Sequence, residues 1–294
     1  MEQQVYEIVT TINSYLSNYV LLVLLIGTGL FFTIRTRFAQ VRYFVAGLKS
    51  VFGGFSLRGG KQQNGGMSSF QALATAIGAQ VGTGNIVGAC GAILIGGPGA
   101  IFWMWVIAFL GMATNYAEAV LAQLTKKTDA DGTVHGGPVY YIRTAFTGAF
   151  GKFLAGFFAV AIILALGFMG CMVQSNSIAS TCQTAFGIPT WGIGIAIVIV
   201  AGFIFLGGVN RIASVTEKIV PVMALLYIIG GVIVLAMNAE NLPAAFALIF
   251  DCAFNPQAQV GGVTFGIIAA LTQGAKRGLF SHEAGMGSTP LAHA

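Results

Sequence analysis

Charge is what this chain has least of. Lys, Arg, Asp and Glu together make 8% of its 294 residues, against 56% hydrophobic residues. Soluble domains carry about 25% charged residues, so a water-facing surface on all sides is excluded. The net charge of +5 is therefore a report of orientation in a bilayer and not the footprint of a nucleic-acid partner. Cysteine is also sparse. Cys90, Cys171, Cys182 and Cys252 are scattered without a CxxC pair, which gives neither a disulfide framework nor a metal site. The three histidines, His135, His282 and His293, have no metal-ligand spacing, and the spans offer no converging acid and base, so an enzyme is not expected. The N-terminus lacks the basic stretch of a secretory leader. Glu2 and Glu7 stand there instead, and the first apolar run is expected to stay as a membrane helix.

What the chain has is long apolar runs. From 62 to 117 there are 56 consecutive uncharged positions, and from 153 to 210 another 58. At 1.5 Å per residue each is roughly twice what one crossing needs. The expected fold is an all-α polytopic membrane protein of about seven transmembrane helices, at 15–34, about 67–95, about 101–124, two within 153–210 separated at 187–190, 219–239, and about 260–275. The segments between them are expected as a basic loop at 35–61, a polar loop at 125–152 and an acidic loop at 238–259. With the N-terminus outside, all 14 Lys and Arg fall on inside segments, which places residue 294 in the cytoplasm. The expected setting is the plasma membrane, the inner membrane of a bacterium, with the lipid bilayer as a partner. Broken-helix transporters are built from two inverted repeats of about five spans. On that plan 1–66 is an extra helix with its basic loop, 67–240 the first repeat, and 241–294 an extracellular loop with the opening of a second repeat that would continue past residue 294.

The second span holds the unusual stretch. Gln80, Thr83 and Asn85 lie among Gly78, Gly82, Gly84 and Gly88, a composition that disfavours a continuous helix. Gly78/Gly82 and Gly84/Gly88 have the GxxxG spacing of close helix packing, but packing does not call for two carboxamides. Irregular backbone at membrane depth is tolerated where it lines a cavity, so a discontinuous helix near residues 78–88 is expected to form a ligand site. A break there frees backbone carbonyls for a cation and aims a helix N-terminus at a carboxylate.

Other polar residues in the spans are fewer. Phe168, Gln174 and Asn176 in the fourth span suit either interhelical hydrogen bonding or a pocket wall. Glu118 is the one carboxylate inside a span, suited to a gate or a proton relay. Thr272 and Gln273 mark a second polar segment in the last span.

Four motifs carry a family resemblance: Gly82-Thr83-Gly84-Asn85-Ile86; Gly111-Met112-Ala113-Thr114 with Tyr116-Ala117-Glu118; Gly136-Gly137-Pro138 with Tyr140-Tyr141; and Gly278-Leu279-Phe280-Ser281 with Glu283-Ala284-Gly285 and Gly287-Ser288. Together they resemble the sodium:alanine (alanine or glycine:cation) symporters, which share the leucine-transporter-type fold. The resemblance implies cotransport of alanine or glycine with Na⁺ by alternating access. It implies substrate contacts at Gln80, Gly82, Thr83, Gly84 and Asn85, with Phe168, Gln174, Asn176, Thr272 and Gln273 around them. For Na⁺ it implies the Asn85 side chain with freed carbonyls near Ala79 and Gly82. Asn115 stands where the family usually has a lysine, His282 where it usually has an asparagine, and Met286 where it usually has a leucine. A proton-coupled carrier using Glu118, and a non-transporting membrane subunit, are the alternatives.

Overall fold

The computed structural model describes residues 2–53, 69–130, 134–255, 258–260 and 263–293. Helices dominate, as lipid demands, because a helix satisfies its backbone polar groups within the segment. In order they are α1 (Glu2–Tyr15), a π-helical turn (Leu16–Val20), α2 (Leu21–Arg35), α3 (Ala39–Arg42), α4 (Phe44–Gly53), α5 (Ser69–Gln80), α6 (Thr83–Gly96) and α7 (Gly99–Thr125). After the pair β1 (Lys127–Thr128) and β2 (Val134–His135) come α8 (Pro138–Ala145), α9 (Gly148–Ile162), a π-helical stretch (Ile163–Gly170), α10 (Cys171–Phe186), α11 (Thr190–Phe205) and α12 (Gly208–Met237). The chain ends with α13 (Leu242–Phe254), the pair β3 (Ala258–Val260) and β4 (Val263–Phe265), α14 (Ile267–His282) and α15 (Thr289–Ala292).

Among the described residues five helical segments are long and apolar enough to cross a membrane: Gln3–Arg35, Leu73–Gly96, Gly99–Thr125, Gly148–Phe186 and Arg211–Met237. Thr190–Phe205 is a shorter apolar helix. The chain is thus an all-α polytopic membrane protein. The expected separation of the fourth and fifth spans is built by Gly187, left-handed at φ 70°, and Pro189 ahead of α11.

The chain forms two compact units. The first comprises Met1–Phe44, Gly84–Ala117 and Gly231–Gly285; the second comprises Val45–Thr83, Glu118–Gly230 and Met286–Ala294.

In the first unit, small residues bring the helices together, as expected where lipid offers no hydrophobic drive between them. A Cβ at Gly29 of α2 would lie 2.8 Å from Leu110 Cβ of α7, and one at Gly96 of α6 would lie 2.8 Å from Gln273 Cβ of α14. Gly274 of α14 meets Ala100 and Trp103, Gly278 meets Met104 and Ile107, and Gly111 of α7 lies under the His282 ring. Hence α14 runs alongside α7 in the same direction. It runs against α6, from Gly96 at its start to Gly84 at its end.

In the second unit, α8 is amphipathic and opens with the buried Pro138 after Gly137 at φ 97°. A Cβ at Gly78 of α5 would lie 2.9 Å from Val220 of α12, and one at Gly287 would lie 2.6 Å from the Phe158 ring of α9.

Three expectations are corrected. The basic segment 35–61 is not a bare loop, because α3 and α4 occupy its described part; Arg58 and Lys61 lie outside the described residues. The segment 238–259 contains α13, whose aromatic residues pack on the start of α7: the Phe102 and Phe254 rings are 4.9 Å apart, and Trp103 Nε1 donates to the Ala253 carbonyl at 3.3 Å. The last span does not begin at Val260. The β3–β4 pair occupies that stretch and α14 starts at Ile267. Since Gly274 and Gly278 pack at Ala100–Ile107 of α7, Lys276 and Arg277 lie beside the first third of α7 and not beyond the end of a crossing.

Candidate functional site

The glycine-rich stretch is broken where the sequence places it. α5 ends at Gln80, Val81 and Gly82 leave the helix, and α6 begins at Thr83. The last carbonyls of α5 and the first N–H groups of α6 thereby lose intrahelical partners. One is recovered locally, as the Val81 N–H donates to Ile77 O at 2.8 Å. Ala79 lies in that last turn, at a half-helix C-terminus whose partial negative charge suits a cation.

In the second unit, the Gln174 side chain of α10 caps the start of α6. Its Oε1 accepts from the Thr83 N–H at 3.2 Å and from the Thr83 hydroxyl at 3.0 Å. An oxygen acceptor thus sits against the positive end of a helix, with one backbone and one hydroxyl donor. These donors suit a carboxylate oxygen equally well. Gly82 leaves room for the approach, because a Cβ there would press on Gln174 Nε2 and make that flexible side chain shift. Gln80 turns elsewhere, its Nε2 donating to Thr289 Oγ1 of α15 at 2.9 Å.

In the first unit, the start of α6 faces the end of α14. Asn85 Nδ2 donates to Ser281 O at 3.2 Å, and Gly84 lies opposite Phe280 O. One position further on, Asn115 Nδ2 of α7 donates to His282 O at 3.2 Å. Two carboxamides therefore satisfy carbonyls that the end of α14 leaves open. The His282 ring accepts the Ala284 N–H on Nδ1 at 3.1 Å, while its Nε2, Asn115 Oδ1 and Thr114 Oγ1 are buried without hydrogen-bond partners among the described residues.

The other sequence-derived residues are placed as follows. Gln273 packs on Gly96, far along α6 from the break. Phe168, in the π-helical stretch, is 62% exposed, Asn176 is exposed on α10, and Thr272 is half-buried on α14. Among the described residues no side-chain hydrogen bond ties these three to the break. Glu118 is buried at 8% exposure, and its charge, after burial itself, helps to push the Tyr141 hydroxyl of α8 above its ordinary value. Ser281, Thr289, the Asn115–His282 link and the Tyr141–Glu118 pairing are additions of the structure. Tyr141, Glu118 and Ser281 stood inside motifs, and Asn115 and His282 stood at departures from the family pattern; Thr289 carried no signal.

Comparison with known proteins decides what kind of molecule carries this break. Residues 2–294 match the model of the sodium:alanine symporter family. The chain belongs to that family. A sodium/alanine symporter, AgcS, of Methanococcus maripaludis is 43% identical over 98% of this chain and 62% of its own length. A protein of Haemophilus influenzae named only as an uncharacterized transporter is 43% identical over 98% of this chain and 62% of its own length. The chain therefore spans about three fifths of the curated relatives it matches. This is a family of symporters and not of enzymes.

Proposed function

We propose that the natural protein carrying this chain is a Na⁺-coupled symporter for small neutral amino acids, alanine or glycine, working by alternating access. The observation that carries the reading is the break at Val81–Gly82, with Thr83 offering N–H and hydroxyl donors at the start of α6. In this reading Gly82, Thr83, Gly84 and Asn85 receive the substrate carboxylate. Gln80, Gln174, Phe168 and Asn176 belong to the surrounding site, and Phe168 limits side-chain size; Gln273 and its neighbour Thr272, beside the far end of α6, fall outside it. Na⁺, a hard cation that takes oxygen ligands, is held by the Ala79 and Gly82 carbonyls and the Asn85 side chain. Coupling follows when both ligands favour the same occluded state, because linkage is reciprocal. Residues 67–240 form the first inverted repeat. The protein lies in the bacterial inner membrane with its N-terminus outside and residue 294 cytoplasmic. Support for that last placement comes from Gln123, near the Lys126 end of α7, which donates to the His293 carbonyl.

A second reading, proton coupling through Glu118, is favoured by the burial of that carboxylate beside Tyr141. The test is alanine uptake into proteoliposomes with an inward Na⁺ gradient, a proton gradient, or neither. Uptake that requires Na⁺ and survives Glu118→Gln supports the first reading. Uptake that requires the proton gradient and is abolished by Glu118→Gln overturns it in favour of the second.

A further inference from the structure

We infer that Arg277 forms an outer carboxylate site, which an amino acid meets before it reaches the break. The inference rests on the amino-acid symport reading above. Its observation is separate. Arg277 stands on α14 level with Met104–Ile107 of α7, about 8–12 Å along that helix from Gly99 at 1.5 Å per residue. An arginine at such a depth beside a membrane span is costly and faces a protein interior or a wet cavity, where it marks a pathway by default.

The two neighbouring cations face different ways. Lys276 adjoins Ser17 of the π-helical turn and Leu21, Leu22 and Leu25 of α2. Arg277 instead lies along the glycine face of α6. The Cβ position of Gly91 is 3.7 Å from a guanidinium nitrogen and 3.8 Å from its central carbon, and that of Gly88 is 3.8 Å from Arg277 Cδ. A Cβ at Gly91 would be in ordinary van der Waals contact with the guanidinium, so the fork lies directly on this glycine face.

No acid neutralises this charge from the helices around it. α2, α6 and residues 99–117 of α7 contain no Asp or Glu. Asp251 of α13 adjoins Cys252, which packs at Gly99, the start of α7. Among the described residues Arg277 has no hydrogen-bond or ion-pair partner. A guanidinium in this setting offers a planar fork of N–H donors matched to a carboxylate. Its ligand class is a monocarboxylate: the carboxylate end of a zwitterionic amino acid. Gly91 is about 10 Å along α6 from Gly84 at 1.5 Å per residue, so the site lies one short step from the residues at the break.

The test is the rate at which phenylglyoxal modifies Arg277 in the natural protein in proteoliposomes, read by peptide mass spectrometry. Saturating alanine or acetate is expected to slow modification several-fold, and alaninamide, which lacks the carboxylate, to leave it unchanged. A rate indifferent to alanine and acetate overturns the site. Slowing by chloride but not by acetate overturns the carboxylate assignment in favour of a halide site. A second measurement is the KM for alanine uptake. Arg277→Gln is expected to raise it about 10- to 100-fold, and Arg277→Lys, which keeps the charge without the fork, to raise it less. An unchanged KM in Arg277→Gln also overturns the proposal. Protection by carboxylates in a protein without Na⁺-driven uptake would sink the symport reading and leave the site. Na⁺-driven uptake without protection would do the reverse.

Discussion

Gln174 and Thr83 are joined by two hydrogen bonds to one oxygen: the Thr83 N–H at 3.2 Å and its hydroxyl at 3.0 Å both reach Gln174 Oε1. The residues are 91 positions apart in sequence. A helix N-terminus with unsatisfied donors demands an acceptor, and α10 supplies one through a long, neutral side chain that can withdraw. The same donors can thus be exchanged between Gln174 and a carboxylate.

Replacing Gln174 with Ala is therefore expected to lower kcat/KM for alanine about 10-fold, because the start of α6 loses the cap that holds its donors in place between substrates. Gly82→Ala should act through the same contact, since its Cβ would press on Gln174 Nε2. The double variant Gly82→Ala/Gln174→Ala should then lose less than the two single losses combined. Independent, additive losses in uptake assays would show that Gly82 serves some other purpose.

The His282 ring rests on Gly111, where a Cβ would come 2.7 Å from Cε1. The ring is also held by the Ala284 N–H on Nδ1, so it has little freedom to move aside. Gly111→Ala is expected to destabilise the protein by about 1–3 kcal/mol, as overpacking does. Thermal unfolding of the purified protein reads this directly. In a His282→Ala background the same substitution should cost much less, because contacting residues do not act additively. Equal costs in both backgrounds would place the strain elsewhere.

The break was legible because lipid punishes its composition. Glycines and carboxamides within one uncharged run leave few structural excuses, and α5 and α6 separate at Val81–Gly82 accordingly. The partners were not legible. Ser281 serves Asn85 through its backbone carbonyl, and a carbonyl has no sequence signature. Gln80 looked like its neighbours in composition, yet it turns to Thr289 on α15, a contact across 209 positions. Lys276 and Arg277 misled for a physical reason. Positive charge after an apolar run normally marks a cytoplasmic end, but small residues at Gly274 and Gly278 seat α14 against the first third of α7. The apolar residues of α13 hid a helix within a loop, since 13 residues are too few for a span.

Tyr141 offers a pH test outside the spans. Burial first, and the Glu118 charge second, push its hydroxyl well above the ordinary value of 10.0. The folded protein thus keeps this proton while the unfolded chain releases it near pH 10.0. Stability from this group is fully present below that pH and is lost as pH rises beyond it. Chemical denaturation should therefore show a steeper alkaline loss of stability in the parent than in Tyr141→Phe. Glu118→Gln, by removing the neighbouring charge, should bring the tyrosinate absorbance change of Tyr141 to lower pH. A Tyr141 titration at the ordinary value would mean that the hydroxyl is open to water.

Orientation and the depth of α14 can be measured together, with a membrane-impermeant maleimide and single cysteines in a background lacking Cys90, Cys171, Cys182 and Cys252. With the N-terminus outside, Gln3→Cys should react in intact cells, and Lys126→Cys only after permeabilisation. Lys276→Cys is the more demanding case. It lies level with Met104, between Gly274 and Gly278, both of which touch that residue. It is therefore about 30 Å from Thr125 along α7 at 1.5 Å per residue. It should stay slow to cytoplasmic reagent even after permeabilisation. Labelling of Lys276→Cys from the cytoplasm as fast as Lys126→Cys would mean that α14 completes a crossing before residue 276, and the outer site assigned to Arg277 would then be on the wrong side of the membrane.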